Sequence, residues 1–432
     1  MDMGTTATAG VAAAGRRPGR VHRAWLVAAV TFLVLLASAA FRSSLGVLLV
    51  PIEDDLGWTR TQTSVAVSLN LVVYGLAAPF AAALLERVGV RRTAVGALLL
   101  MGAGCLATTV MTAPWQLSAL WGVVIGIATG SIALVFGAIV ANRWFVARRG
   151  LVVGLLTAAN STGQLVFLPV MARITETTDW RWVLVLVGGA ALVALAIAIV
   201  GLRDRPSDLG LAPYGGEVEA APTGPRLAAL AVLRQVARDR VFLALAGSFW
   251  VCGATTVGLI AVHLIPAAHD HGIPAGQAAA LMAAMGVLDI LGTTGSGWLT
   301  DRHSARMLLL VYYAGRGLSL LILPLALSAE GPMLTAFTVF YGLDWIATVP
   351  PTVALVTQRF GREVGGIAFG WIFAAHQWGG AVAAWAAGFV RDDSGTYDGV
   401  FVASGLLCFG AVVLLAGIRA RPARLATASA SA

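Results

Sequence analysis

From Trp25 to Ile418 the chain is a succession of apolar runs, interrupted by only one long polar stretch, Arg203 to Arg240. That pattern constrains folding more than any motif. Hydrocarbon offers no water to backbone N–H and C=O groups, so a run of about 20 apolar residues must satisfy them internally, as a helix. The expected spans lie near residues 25–50, 62–85, 93–112, 116–141, 150–172 and 180–202, then 241–266, 275–299, 306–328, 331–357, 364–390 and 399–418. The fold class that follows is an all-α polytopic membrane protein with twelve transmembrane helices. Composition agrees: 58% of residues are hydrophobic and 12% charged, against roughly a quarter charged in soluble domains. Arg16, Arg17, Arg20 and Arg23 ahead of Ala37, Ser38 and Ala39 have the form of a signal peptide. The apolar run continues to Pro51, however, which is too long for a cleavable segment and predicts a retained first helix.

Charge placement orients the spans. All 29 basic residues are arginine, and 23 of them fall in the two tails, the polar break and the even-numbered connections. The odd connections carry acids instead: Glu53, Asp54, Asp55, Glu176, Asp179, Asp270, Glu330, Asp392 and Asp393. Arginine enrichment on one side places both termini and the break in the cytoplasm, in a multi-pass protein of the cell membrane. The net charge of +8 is dispersed between apolar spans and forms no basic face, which excludes nucleic acid as a partner. Cys105, Cys252 and Cys408 all lie within apolar spans and read as packing residues. No metal-ligand spacing, phosphate loop or nucleophile constellation is present, so neither a cofactor nor enzymatic activity is expected. His263, His269, Asp270 and His271 form a cluster that a solvated loop explains better than a metal site.

The two halves repeat at an offset of 215 or 216 residues. Gly150, Gly154, Asn160 and Gly163 recur as Gly366, Gly370, His376 and Gly379, and Glu86-Arg87 recurs as Asp301-Arg302. Gly126 and Arg143-Trp144 recur as Gly342 and Arg359-Phe360. Two six-helix pseudo-repeats with a ligand path between them are therefore expected. The implied organisation is a disordered cytoplasmic tail (1–23), an N-terminal bundle (24–202), a cytoplasmic linker (203–240), a C-terminal bundle (241–418) and a cytoplasmic tail (419–432).

Over residues 24–418 the chain resembles the major facilitator superfamily, and the resemblance is carried by the loop after the second helix and its copy after the eighth. Family members show Gly-x-x-x-Asp-Arg-x-Gly-x-Arg-Arg there. The first copy runs from Ala82 through Glu86, Arg87 and Gly89 to Arg91 and Arg92; the second holds Gly297, Asp301 and Arg302, with Arg306 beyond. Glu86, Arg87, Arg91, Gly297, Asp301 and Arg302 are accordingly candidates for a conformational latch, since a carboxylate at a helix end can pair with loop arginines when one side is closed. Within the superfamily the chain is most similar to the monocarboxylate transporter family. Ala40-Phe41-Arg42-Ser43-Ser44-Leu45-Gly46 resembles that family's first helix, and Asp289 with Gly297 resembles its eighth. The family's arginine four residues after the aspartate is Thr293 here, and the first helix's basic residue is displaced by one.

Ionisable side chains within lipid cost roughly 2.5–3.5 kcal/mol on insertion scales, so each is a functional candidate. The resemblance implies that Arg42 holds a substrate carboxylate and Asp289 carries a proton. The residue types suit the roles: arginine is permanently charged and bidentate, and a desolvated aspartate can load and release a proton. Asn160, His376 and Asp344 are further substrate-binding candidates within spans. Arg316 reads as a structural partner of Asp289 or Asp344. The function expected is secondary active transport, proton-coupled symport of a small organic anion by alternating access. A proton-antiport exporter of drugs or hydrophobic metabolites is the alternative, and a transporter-like nutrient sensor lies outside the class. Pro350-Pro351 is expected to kink the tenth helix, Gly122, Gly126 and Gly130 to allow close helix approach, and Tyr397 to anchor a span end at the interface.

Overall fold

The computed structural model describes residues 22–132, 134–216, 228–300, 302–329 and 331–418. Both expected tails, apart from His22 and Arg23, and part of the linker lie outside that set. Of the candidate residues, Asp301 lies outside it, as do the side chains of Glu86 and Asn160.

The described residues form twelve long helical rods and no sheet. The first six are α1 (Arg23–Leu56), α2 (Arg60–Val88), α3 (Val90–Thr108), α4 (Pro114–Trp144), α5 (Arg149–Thr177) and α6 (Arg181–Gly201). The others are α7 (Arg240–Asp270), α8 (Ala275–Thr300), α9 (Ala305–Ala329), α10 (Pro332–Gly361), α11 (362–394) and α12 (Asp398–Ala416). Nine of these, all but α2, α5 and α11, combine length with membrane-spanning hydropathy among the described residues. A short amphipathic linker helix, Ala229–Val236, buries Val232 and Val236.

In the first half α1 packs on α5 and α6, α2 on α4, and α3 on α6; in the second, α7 packs on α11 and α12, α8 on α10, and α9 on α12. The halves meet along α2 with α11 and α5 with α8. Because the sequence repeat maps α2 onto α8 and α5 onto α11, these two seams are equivalent by pseudo-symmetry. One end of the bundle carries the described linker residues, the start of α1 and the end of α12 (the linker end); the other is called the distal end.

Small residues set the closest approaches. A Cβ on Gly122 would lie 2.7 Å from Leu69, and one on Gly130 would lie 2.6 Å from Ala77, so the glycine stripe of α4 presses directly on α2. The backbone of α4 bulges into a π-helical segment at Ser118–Ile125, and α7 does the same at Ala254–Ile260. α10 departs from expectation. It is interrupted at Trp345–Thr348, one turn before the prolines, and Pro350 and Pro351 sit in the first turn of the helix that resumes at Val349. A proline there needs no N–H partner, so the pair starts a helix rather than bending one. Gly361, at φ 77°, is the sole turn residue between α10 and α11.

Candidate functional site

Arg42 stands on α1, half-buried in the interior of the bundle. Its Nη1 donates to the Tyr74 hydroxyl at 3.2 Å, and its guanidinium carbon lies 5.3 Å from the centre of that ring. No carboxylate among the described residues pairs with it. From Tyr74 a run of rings crosses the seam: Tyr74 meets Phe373 of α11 at 6.2 Å, and Phe373 stacks on His376 at 5.7 Å. His376 is also 4.7 Å from Phe249 of α7, and its Nδ1 is buried without a hydrogen-bond partner. The sequence candidates Arg42 and His376 thus flank one aromatic strip at the junction of the halves.

The remaining membrane charges gather inside the C-terminal half, around the break in α10. Arg316 of α9 is fully buried. Its Nε donates to Asp344 Oδ2 at 2.6 Å, and Nη2 donates to the main-chain carbonyls of Asp344 (2.6 Å) and Trp345 (3.2 Å). Nη1 reaches Cys252 Sγ at 3.0 Å. The structural pairing anticipated for Arg316 is therefore with Asp344 rather than Asp289. Asp289, 5% exposed on α8, accepts from the Thr293 hydroxyl at 2.8 Å and from the Ile346 N–H at 3.1 Å. Ser296 donates to the Ala347 carbonyl at 2.6 Å, and Cys252 contacts the Thr348 hydroxyl at 3.3 Å. Unwound residues leave their main-chain groups without helix partners. Here α8 and α9 supply replacements, so the break in α10 is a built feature.

The latch candidates separate. Arg91 is engaged through its main-chain N–H, which donates to Asp204 Oδ1 at 2.9 Å, while Arg87 is exposed in the last turn of α2. Arg302 bonds the Trp298 carbonyl at 3.1 Å and covers that indole at 4.2 Å, a contact within its own turn. Gly297 has open space where a Cβ would stand. Arg306 instead caps the end of α12, bonding the carbonyls of Leu415 and Ala416. Beyond the spans, Asp239 caps α7 and pairs with Arg359 at 2.6 Å. Burial pushes its carboxyl up, but Arg359 and the N–H groups of Phe242 and Val241 outweigh that and hold it below the usual 3.8.

The distal end holds a network that the sequence concealed. Arg60 is 7% exposed and pairs with Glu53 at 2.7 Å. Its Nη1 donates to the Tyr397 hydroxyl at 2.9 Å, and its N–H to Asp392 of α11 at 3.2 Å. Thr61 adds its own N–H and hydroxyl to Asp392, at 2.8 and 2.5 Å. Tyr397 is fully packed, not an interfacial anchor, because its hydroxyl also meets His263 Nδ1 at 3.2 Å. His263 in turn contacts the Ala384 carbonyl at 2.9 Å, so it belongs to a core hydrogen-bond chain and not to a solvated cluster. Glu53, Arg60, Asp392 and Tyr397 join both halves of the molecule across this end. In the sequence, Glu53 and Asp392 stood out only as acids of the odd connections.

Two helical bundles meeting at pseudo-equivalent seams, with a cation at their junction, define a multi-pass membrane transporter scaffold. Comparison with known proteins agrees. The Major Facilitator Superfamily model matches residues 31–384 and 254–432, and the chain belongs to that superfamily. It is 26% identical to the MFS-type transporter YcxA of Bacillus subtilis, over 85% of this chain and 88% of that one. It is 29% identical to monocarboxylate transporter 11 of Mus musculus (92% and 88% covered) and 26% identical to monocarboxylate transporter 12-B of Danio rerio (90% and 86%). A crystal structure of a D-xylose-proton symporter superimposes with a TM-score of 0.72 at 14% identity, covering 93% of this chain and 98% of that one. These relatives are transporters and not enzymes.

Proposed function

We propose that this transporter is a proton-coupled symporter of a small, monocarboxylate-like organic anion, working by alternating access. The carrying observation is Arg42, a cation in the bundle interior whose polar partner is a tyrosine hydroxyl and not a carboxylate. A charge kept inside the bundle marks a substrate path, and a guanidinium grips a carboxylate through two parallel hydrogen bonds. The likeness to monocarboxylate transporters 11 and 12-B supports that cargo. In this reading Asp289 carries the coupled proton, while Asn160, His376 and Asp344 line or support the path. Glu86, Arg87, Arg91, Gly297, Asp301 and Arg302 bias the linker end between closed and open. Residues 24–202 and 241–418 are the rocking units, 203–240 the cytoplasmic linker, and both termini face the cytoplasm from the cell inner membrane.

The test is uptake of labelled lactate or pyruvate into proteoliposomes under an inward proton gradient. Concentrative uptake that collapses with the gradient is expected, lost in Arg42→Ala and reduced to exchange alone in Asp289→Asn. An Arg42→Ala protein that accumulates substrate normally removes the cation role, and an Asp289→Asn protein that still concentrates removes the proton role. The aromatic strip of Tyr74, Phe373, His376 and Phe249 favours one second reading, export of a hydrophobic compound by proton antiport. Dye efflux that an opposing proton gradient drives would select it.

A further inference from the structure

The pair of Arg316 and Asp344 is built asymmetrically. Arg316 uses every edge of its guanidinium, yet Asp344 uses only Oδ2; Oδ1 is buried with no hydrogen-bond partner. A purely structural ion pair in lipid is expected to satisfy both carboxylate oxygens, because each bare one forfeits a full bond to water. The orphaned oxygen stands at the last helical residue before the break in α10, and Asp289 bonds the same break two residues on, at the Ile346 N–H.

From this we infer that Asp344 is a second proton-carrying carboxyl, adjacent to Asp289, and that Arg316 is the positioning residue that ties its charge to the conformation of α10. The inference rests on the proton-coupled reading and adds a site to it. A proton joining Oδ1 turns the carboxylate into a neutral acid. Arg316 keeps its charge and its bonds to the Asp344 and Trp345 carbonyls. The pair therefore passes from neutral to singly positive, the charge that one bound carboxylate cargo cancels. The titratable and charged groups facing Asp344 are Cys252 of α7, Asp289 of α8, Arg316 of α9, Tyr341 of α10 itself and Cys408 of α12, while Tyr313 of α9 faces Arg316. His376 of α11 stands behind Cys252.

Infrared spectroscopy of the purified protein in lipid vesicles, titrated with pH in the absence of any substrate, tests this directly. The wild type is expected to show a buried carboxylic C=O band that disappears as pH rises. Asp344→Asn should remove one component of that band, Asp289→Asn should leave that component in place, and Asp344→Glu should restore it. Should Asp344→Asn fail to fold, the double variant Asp344→Asn/Arg316→Gln removes both charges together and takes its place. A wild type without a titrating band, a band unchanged by loss of Asp344, or one abolished entirely by Asp289→Asn overturns the inference. Because no cargo is added, the result is independent of whether lactate or pyruvate is transported.

Discussion

The two arginines inside the membrane have opposite surroundings. Arg316, in the C-terminal half, is fully buried and bonded to a carboxylate, two carbonyls and a thiol. Arg42, in the N-terminal half, is half-buried and leans on one tyrosine. Both carry the same charge through the same lipid, so the difference lies in where the compensating anion comes from. Arg316 finds it within the chain, as a group that shapes α10. On the proposed reading Arg42 takes it from outside the chain, in the cargo.

Substitution at the paired cation should do most damage to the fold. Arg316→Ala leaves Asp344 buried and bare, and should destabilise the protein by about 3–5 kcal/mol, read as thermal unfolding in detergent. The double variant Arg316→Leu/Asp344→Leu should recover most of that loss; if it is as unstable as the single variant, the contrast between the arginines is wrong. At the unpaired cation the fold should survive and transport should not. Arg42→Gln is expected to lower uptake by roughly 10- to 100-fold, the worth of about 1.5–3 kcal/mol in charged hydrogen bonds, with a melting temperature near that of wild type. Unfolding of Arg42→Gln would place Arg42 with Arg316 as a structural charge.

Smaller effects are expected where charges join the halves. Arg60→Gln loosens the distal end, and should raise labelling of a cysteine placed at the buried Ser64, against Gly388 of α11, by about 5- to 30-fold, equivalent to about 1–2 kcal/mol of population shift. Unchanged labelling would deny the distal network a gating role. The mildest change is Asp239→Asn, worth about 0.5–1 kcal/mol at neutral pH as a helix cap and surface pair. Since the folded carboxyl sits below its usual 3.8, its contribution is complete above that value and fades as pH falls through the folded one. The wild type and Asp239→Asn should therefore converge in stability in acid; a gap that persists there contradicts the assigned cause.

The spans, the repeat of the two halves and the family were legible in the residues because hydrophobic length and a constant repeat offset are properties of the chain itself. Arg42 and Asp289 were legible for a related reason, as charges where lipid permits few. What escaped was pairing. Arg316 could be placed on a helix but not matched with Asp344, since 28 residues and one connection separate them. Arg60 and Asp392 were invisible as partners because 332 residues lie between them, and proximity at that separation is created only by closure of the bundle. The position of the break in α10 was also misjudged. Proline marked the end of the interruption, while its start is bonded by side chains on two other helices, neither of which announces itself in the local sequence.

The joint at Gly361 has a mechanical meaning. Most transmembrane helices are linked by loops with enough slack to let each tilt alone, but the lower part of α10 and all of α11 run on through a single residue, 46 positions from Val349 to Ser394. An elbow that short absorbs displacement only at Gly361 itself. A swing of the rod bearing Phe373 and His376 that the φ and ψ of Gly361 do not take up passes along the lower part of α10 toward the discontinuity beside Asp344.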